Sequence, residues 1–101
     1  MRELTASQIT TEALLKLRAR GCTVWRQNNI TVRRRKNIVK KGQSDIIGYT
    51  SQGVFVACEV KTLGDDFSED QKKFLKDVAE KKGIALIAIQ EGYQVSIKNF
   101  E

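Results

Sequence analysis

Val54-Phe55-Val56-Ala57-Cys58-Glu59-Val60-Lys61 is the stretch that decides the fold. It is apolar and rich in β-branched residues until two charges flank its last valine, so it reads as a strand. Side chains on a strand alternate, which puts Val54, Val56, Cys58 and Val60 on one face and Phe55, Ala57, Glu59 and Lys61 on the other. The first face is core. Phe55 and Ala57 imply that the charged face is also covered along most of its length, as in an interior strand. Glu59 and Lys61 thus leave the most buried strand of the chain side by side.

Working outward, Ile84–Ile89 is a second continuous apolar run. Between the two lies a helical pattern over Glu69–Lys82, with Ser68 as N-cap, acidic residues in the first turn, Phe74, Leu75 and Val78 as its buried stripe, and Gly83 as the stop. This is the length of a right-handed β-α-β crossover, which makes the flanking strands parallel. On the other side, Ile46, Ile47 and Tyr49 begin a strand that Ser51-Gln52-Gly53 turns back into Val54–Lys61 as an antiparallel hairpin. A helix is predicted from Ala6 to Arg20, opened by a Thr5/Gln8 capping box and a Leu4/Ile9 staple and closed by Gly21. Its stripe is Ala6, Ile9, Ala13, Leu14 and Leu17, with Glu12 bordering that stripe. Cys22–Gln27 and Ile30–Arg33 read as a hairpin around Asn28-Asn29, and Tyr93–Ile97 as an edge strand. The expected fold is α/β, a mixed β-sheet flanked by helices in the order α-β-β-β-β-α-β-β, in a single domain over 1–101.

Composition narrows the chemistry. Lys and Arg number 18 against 12 Asp and Glu, giving a net charge of +6 and an anionic partner as the expectation. Six of those cations, Arg33, Arg34, Arg35, Lys36, Lys40 and Lys41, fall in one stretch that shows neither alternation nor a helical stripe and reads as a loop. If all six met phosphates of a duplex, binding would fall with salt at a logarithmic slope of about −5. Histidine is absent, so a metal would be held by oxygen. Cys22 and Cys58 lie in apolar runs without metal spacing and read as reduced core residues. No apolar run is long enough for a membrane span and no export leader is evident, so the expected compartment is the cytoplasm.

Asp45 at the start of one strand, Glu59 near the end of its hairpin partner and Glu12 on the first helix are candidates for a shared site. Two carboxylates 4 Å apart repel by about 4 kcal/mol at an effective dielectric near 20. A hard cation between them offsets this, and Mg²⁺ is the usual occupant of a site made of a few carboxylates, water and a phosphate. Lys61 would stand beside it, able to balance phosphate charge or serve the attacking water.

Gly42-x-x-Asp45, Glu59-x-Lys61 and Ser68-x-x-Gln71, in this order and with these elements between them, resemble the PD-(D/E)XK nuclease superfamily, and within it the VRR-NUC (virus-type replication-repair nuclease) domains. The resemblance implies a restriction-endonuclease-like fold and Mg²⁺- or Mn²⁺-dependent hydrolysis of DNA to a 5′-phosphate and a 3′-hydroxyl. It implies that Asp45, Glu59 and the backbone carbonyl of Val60 bind metal and that Lys61 serves the nucleophilic water. Glu12 would reach the metal directly or through water, and Gln71 would be the glutamine following the catalytic strand. Ser44 stands where the superfamily name calls for proline. The resemblance further implies a homodimer acting on branched DNA such as four-way (Holliday) junctions, in a bacterial or phage-infected cell and in DNA repair. Arg33, Arg34, Arg35, Lys36, Lys40 and Lys41 would form the DNA-binding arm.

Other readings stay open at this level. The enzyme could trim ends or cut single strands or flaps, or the chain could be a basic DNA-binding module without catalysis, although the latter gives no reason for acidic groups at one strand end. Ser68-x-x-Gln71 is also a capping box in its own right. Trp25 and Tyr49 read as core rather than as base-stacking platforms.

Overall fold

The computed structural model describes residues 3–27 and 44–100. Helix α1 spans Ala6–Ala19, strand β1 Thr23–Arg26, β2 Ile46–Tyr49, β3 Phe55–Lys61, helix α2 Glu69–Glu80, β4 Ile84–Glu91 and β5 Gln94–Asn99. The strands form one sheet in sequence order, β1-β2-β3-β4-β5. Three of its pairings are antiparallel, and β3 and β4, joined through α2, run parallel. The mixed, helix-flanked α/β sheet is as expected. The partner predicted for β1, residues 30–33, lies outside the described residues, as does the basic run from 33 to 41; among the described residues β1 pairs with β2, Trp25 opposite Ile47.

Helix α1 covers one face. Ile9, Ala13 and Leu17 pack with Val24, Ile46, Val56, Cys58, Val60, Leu86, Ala88 and Val95 into the larger core. Thr10 joins the buried side by donating its hydroxyl to the Ala6 carbonyl at 2.7 Å, while Ala6, placed in the stripe by periodicity, is exposed. The capping box closes as predicted, Gln8 N–H donating to Thr5 Oγ1 and Thr5 N–H to Gln8 Oε1. At the other end Gly21 adopts φ +92°, and the Cys22 amide reaches back to the Leu17 carbonyl.

Helix α2 covers the other face less completely. Phe74, Leu75 and Val78 press on Ala57 and Ala85, the paired small residues of β3 and β4. The helix does not reach over Phe55, which is 42% exposed, so the charged face of β3 is covered from Ala57 onward only. The residue in the left-handed conformation at its end is Lys82 (φ 72°) and not Gly83. Gly83 is required for room: a Cβ there would stand 2.7 Å from Val78 Cγ1 and 3.3 Å from the Phe55 carbonyl. On β2, Gly48 lets β1 approach, since a Cβ would fall 1.9 Å from the Thr23 carbonyl oxygen. Among the described residues no helix is long and apolar enough to cross a membrane.

Candidate active site

The β2–β3 ladder ends at Ile46 opposite Cys58. One step beyond it, where the strands no longer bond backbone to backbone, two carboxylates take over. Asp45 Oδ2 accepts from the Val60 amide at 3.0 Å, and Glu59 Oε1 accepts from the Asp45 amide at 3.2 Å. The Asp45 carbonyl in turn accepts from the Gln27 amide at 2.7 Å, which pins the corner to the end of β1. The N–H and C=O of an extended residue point the same way, so the Val60 carbonyl opens on the same side as Asp45, past the end of the ladder.

Glu59 is 1% exposed, and its second oxygen, Oε2, is buried with no hydrogen-bond partner among the described residues. A buried carboxylate oxygen without a hydrogen bond is expensive to keep ionised. Burial first, and the neighbouring Asp45 carboxylate next, push the Glu59 carboxyl up to about 8, against a smaller opposing pull from Lys61. The Cys58 thiol behind it is pushed up to about 12, chiefly by burial. Such a pair fits a divalent cation: oxygen donors only, one already orphaned, with the charge repulsion that a cation would remove.

Lys61 follows on the same face, and its position is strongly determined. Nζ donates to the Asp66 carbonyl and to Gln71 Oε1, both at 2.9 Å, lies 3.9 Å from Glu59 Oε2, and sits 4.9 Å above the centroid of the Phe67 ring. Gln71 forms the cap that the sequence predicts and also touches Lys61. Its Oε1 also accepts from the Ser68 amide at 2.9 Å, while the Gln71 amide donates to Ser68 Oγ, so one side chain caps α2 and holds the lysine. The Asp66 and Phe67 contacts were missed from the sequence. The signal for them was Thr62-x-x-Asp65 around Gly64, a turn in which Asp65 Oδ2 accepts from the Thr62 amide at 3.2 Å and from the Thr62 hydroxyl, delivering Asp66 and Phe67 onto the lysine.

Glu12 does not join this group. On α1 it leans toward β5, lining a groove with Gln8, Lys16, Tyr93 and Gln94 on the face of the sheet opposite Glu59. The reason is layering: α1 packs on the side of the sheet that carries Ile46, Val56, Cys58 and Val60, whereas alternation puts Glu59 on the other side. Among the described residues no three of His, Cys, Asp and Glu gather as metal ligands, so the acidic part of the site is Asp45 and Glu59. Arg33, Arg34, Arg35, Lys36, Lys40 and Lys41 lie outside the described residues. Trp25 and Tyr49, expected in the core, are 43% and 47% exposed.

Set against known families, the chain matches the VRR-NUC domain over residues 6–90. No curated protein matches it.

Proposed function

Because the chain belongs to the VRR-NUC domain family, a family of nuclease-type domains, we propose that it is a divalent-metal-dependent deoxyribonuclease that cuts within DNA at branched structures such as four-way junctions, acting as a homodimer. The observation that carries the metal dependence is the buried Oε2 of Glu59, which lacks a hydrogen bond among the described residues, beside Asp45. Asp45, Glu59 and the Val60 carbonyl would hold Mg²⁺ or Mn²⁺, with water and a substrate phosphate completing the shell. When bound, the ion supplies charge stabilisation at the phosphate and a more acidic water.

This chain's own residues supply the rest. The Asp45 and Glu59 carboxylates are held in mutual register by the Asp45 and Val60 amides, so their separation is fixed before any ligand arrives. Lys61, steadied by Gln71 and the Asp66 carbonyl, presents a cation where charge grows on the phosphate oxygens and orients the water that attacks. The branched-DNA preference and the homodimer are supported by the sequence resemblance, and the DNA substrate by the net charge of +6 as well.

The deciding experiment incubates the protein with a synthetic four-way junction, a flap, a single strand and a linear duplex, with Mg²⁺ and with EDTA. Junction cutting that EDTA abolishes is expected. Cutting unaffected by EDTA overturns the metal site, and equal cutting of all substrates overturns the selectivity.

A further inference from the structure

Strand alternation carries the face that bears Asp45 and Glu59 onward to Trp25, Ile47, Tyr49 and Phe55. Trp25 pairs with Ile47, Ile47 with Ala57, and Tyr49 with Phe55. These rows run parallel to the Asp45–Glu59 row, and successive rows are about 7 Å apart, two residues at about 3.3 Å each. The strands do not need these rings for their core, since Val24, Ile46, Gly48 and Val56, on the opposite face, are buried on the α1 side. Yet Trp25, Tyr49 and Phe55 are 43%, 47% and 42% exposed, with α2 lying on β3 and β4. Trp25 and Tyr49 meet edge to face, centroids 6.3 Å apart at 73°. A contiguous exposed aromatic surface on a small domain marks an interaction site.

We propose that this face of β1–β2 is a stacking platform for unpaired nucleobases, taking the bases of the strand whose phosphate meets Asp45 and Glu59; this rests on the nuclease reading above. The platform begins one row from the carboxylates, on their own face, so a strand whose backbone reaches them brings its neighbouring bases over Trp25. Aromatic rings suit any base, because every base has a π-face. A net charge of +6 attracts the polyanion that carries them. A continuous duplex keeps its bases stacked internally, whereas a branch point or single strand offers free ones, so the platform favours substrates with unstacked bases beside the cut bond.

Trp25 is the chain's only tryptophan, so its emission reports on the platform directly. The full chain is titrated in EDTA, where no cutting occurs, with a fluorophore-free oligothymidylate and with a linear duplex of equal length, binding being followed in parallel by anisotropy of labelled strands. The single strand is expected to quench Trp25 and the duplex to quench it far less. Trp25→Ala and Tyr49→Ala are each expected to lower single-strand affinity about tenfold, with Trp25→Phe restoring most of it. Bound single strand that leaves the emission unchanged, or alanine variants that keep full affinity, would overturn the proposal. So would a blue-shifted emission insensitive to oligonucleotide; a shift on dilution would then mean that a second copy covers the face. Loss of quenching with junction cutting intact removes the platform alone. Quenching without Mg²⁺-dependent cutting removes the nuclease reading and leaves base binding standing.

Discussion

The two faces of the sheet are built to different ends. Under α1 the contacts are mainly aliphatic and closed: Ile9, Leu17, Ile46, Val56 and Cys58 are at most 1% exposed, and the buried Thr10 and Gln90 are hydrogen-bonded. Under α2 the same strands carry a buried, half-satisfied carboxylate, a pinned lysine and, beyond the helix, uncovered aromatic rings. Stability is concentrated on one side and chemistry on the other. A small domain that keeps a buried carboxylate oxygen without a hydrogen bond needs a well-packed core elsewhere, and the α1 face supplies one.

Substitutions on the two faces should therefore differ in kind. Leu17→Ala, which opens a cavity in the α1 core, is expected to cost about 2–5 kcal/mol, whereas Trp25→Ala, which loses one edge-to-face ring contact on a half-exposed face, should cost about 1 kcal/mol; chemical denaturation measures both. Equal losses would mean that the aromatic face is also structural. Next in size, Lys61→Ala and Asp45→Asn should each lower junction cutting by about 10²–10³-fold while gel retention of the junction stays near wild type. Full activity in either removes the site assignment.

The Glu59 carboxyl, raised to about 8 from 4.5, gives the α2 face a pH dependence through neutrality, whereas the Cys58 thiol on the α1 face, raised to about 12, stays protonated there. A raised carboxyl favours the protonated form in the fold. Metal-free stability is thus fullest below about pH 4.5, declines as pH rises toward 8, and levels off above. Glu59→Gln should remove most of that slope and leave the metal-free protein more stable than wild type at pH 8, by a few kcal/mol. A flat wild-type stability profile across this range would contradict the burial of the charge. The smallest effect belongs to Gln71→Ala. Losing one arm of the cap should cost about 1 kcal/mol, together with a several-fold drop in rate as Lys61 loses a partner; a loss of stability with no change in rate would reduce Gln71 to a cap.

Much of this was legible in advance because it rests on local chemistry. The alternation in Val54–Lys61, the crossover length to Ile84 and the Thr5 and Ser68 caps each encode their element within a few residues, and the structure has all of them. So too the placement of Asp45 beside Glu59, which follows from hairpin register. What was not legible depends on how layers overlap. Periodicity puts Glu12 at the border of a stripe but does not say which face of the sheet α1 covers, and α1 lies on the face away from Glu59, with Glu12 beside Tyr93 and Gln94. Trp25, Tyr49 and Phe55 have the composition of a core, yet α2 is laid over β3 and β4 and leaves them uncovered. Left-handed backbone at Lys82, with Gly83 reserved for the approach to Val78 and Phe55, is likewise a packing outcome that a Lys-Gly pair does not announce.

The central claim is that Asp45 and Glu59 form one ligand sphere for a divalent ion. Calorimetric titration of Mn²⁺ into the DNA-free protein at pH 8 addresses it without reference to catalysis. Saturable binding to the wild type, lost in both Asp45→Asn and Glu59→Gln and retained in Glu12→Gln, is the predicted result. Binding that survives either carboxylate substitution unchanged would contradict it.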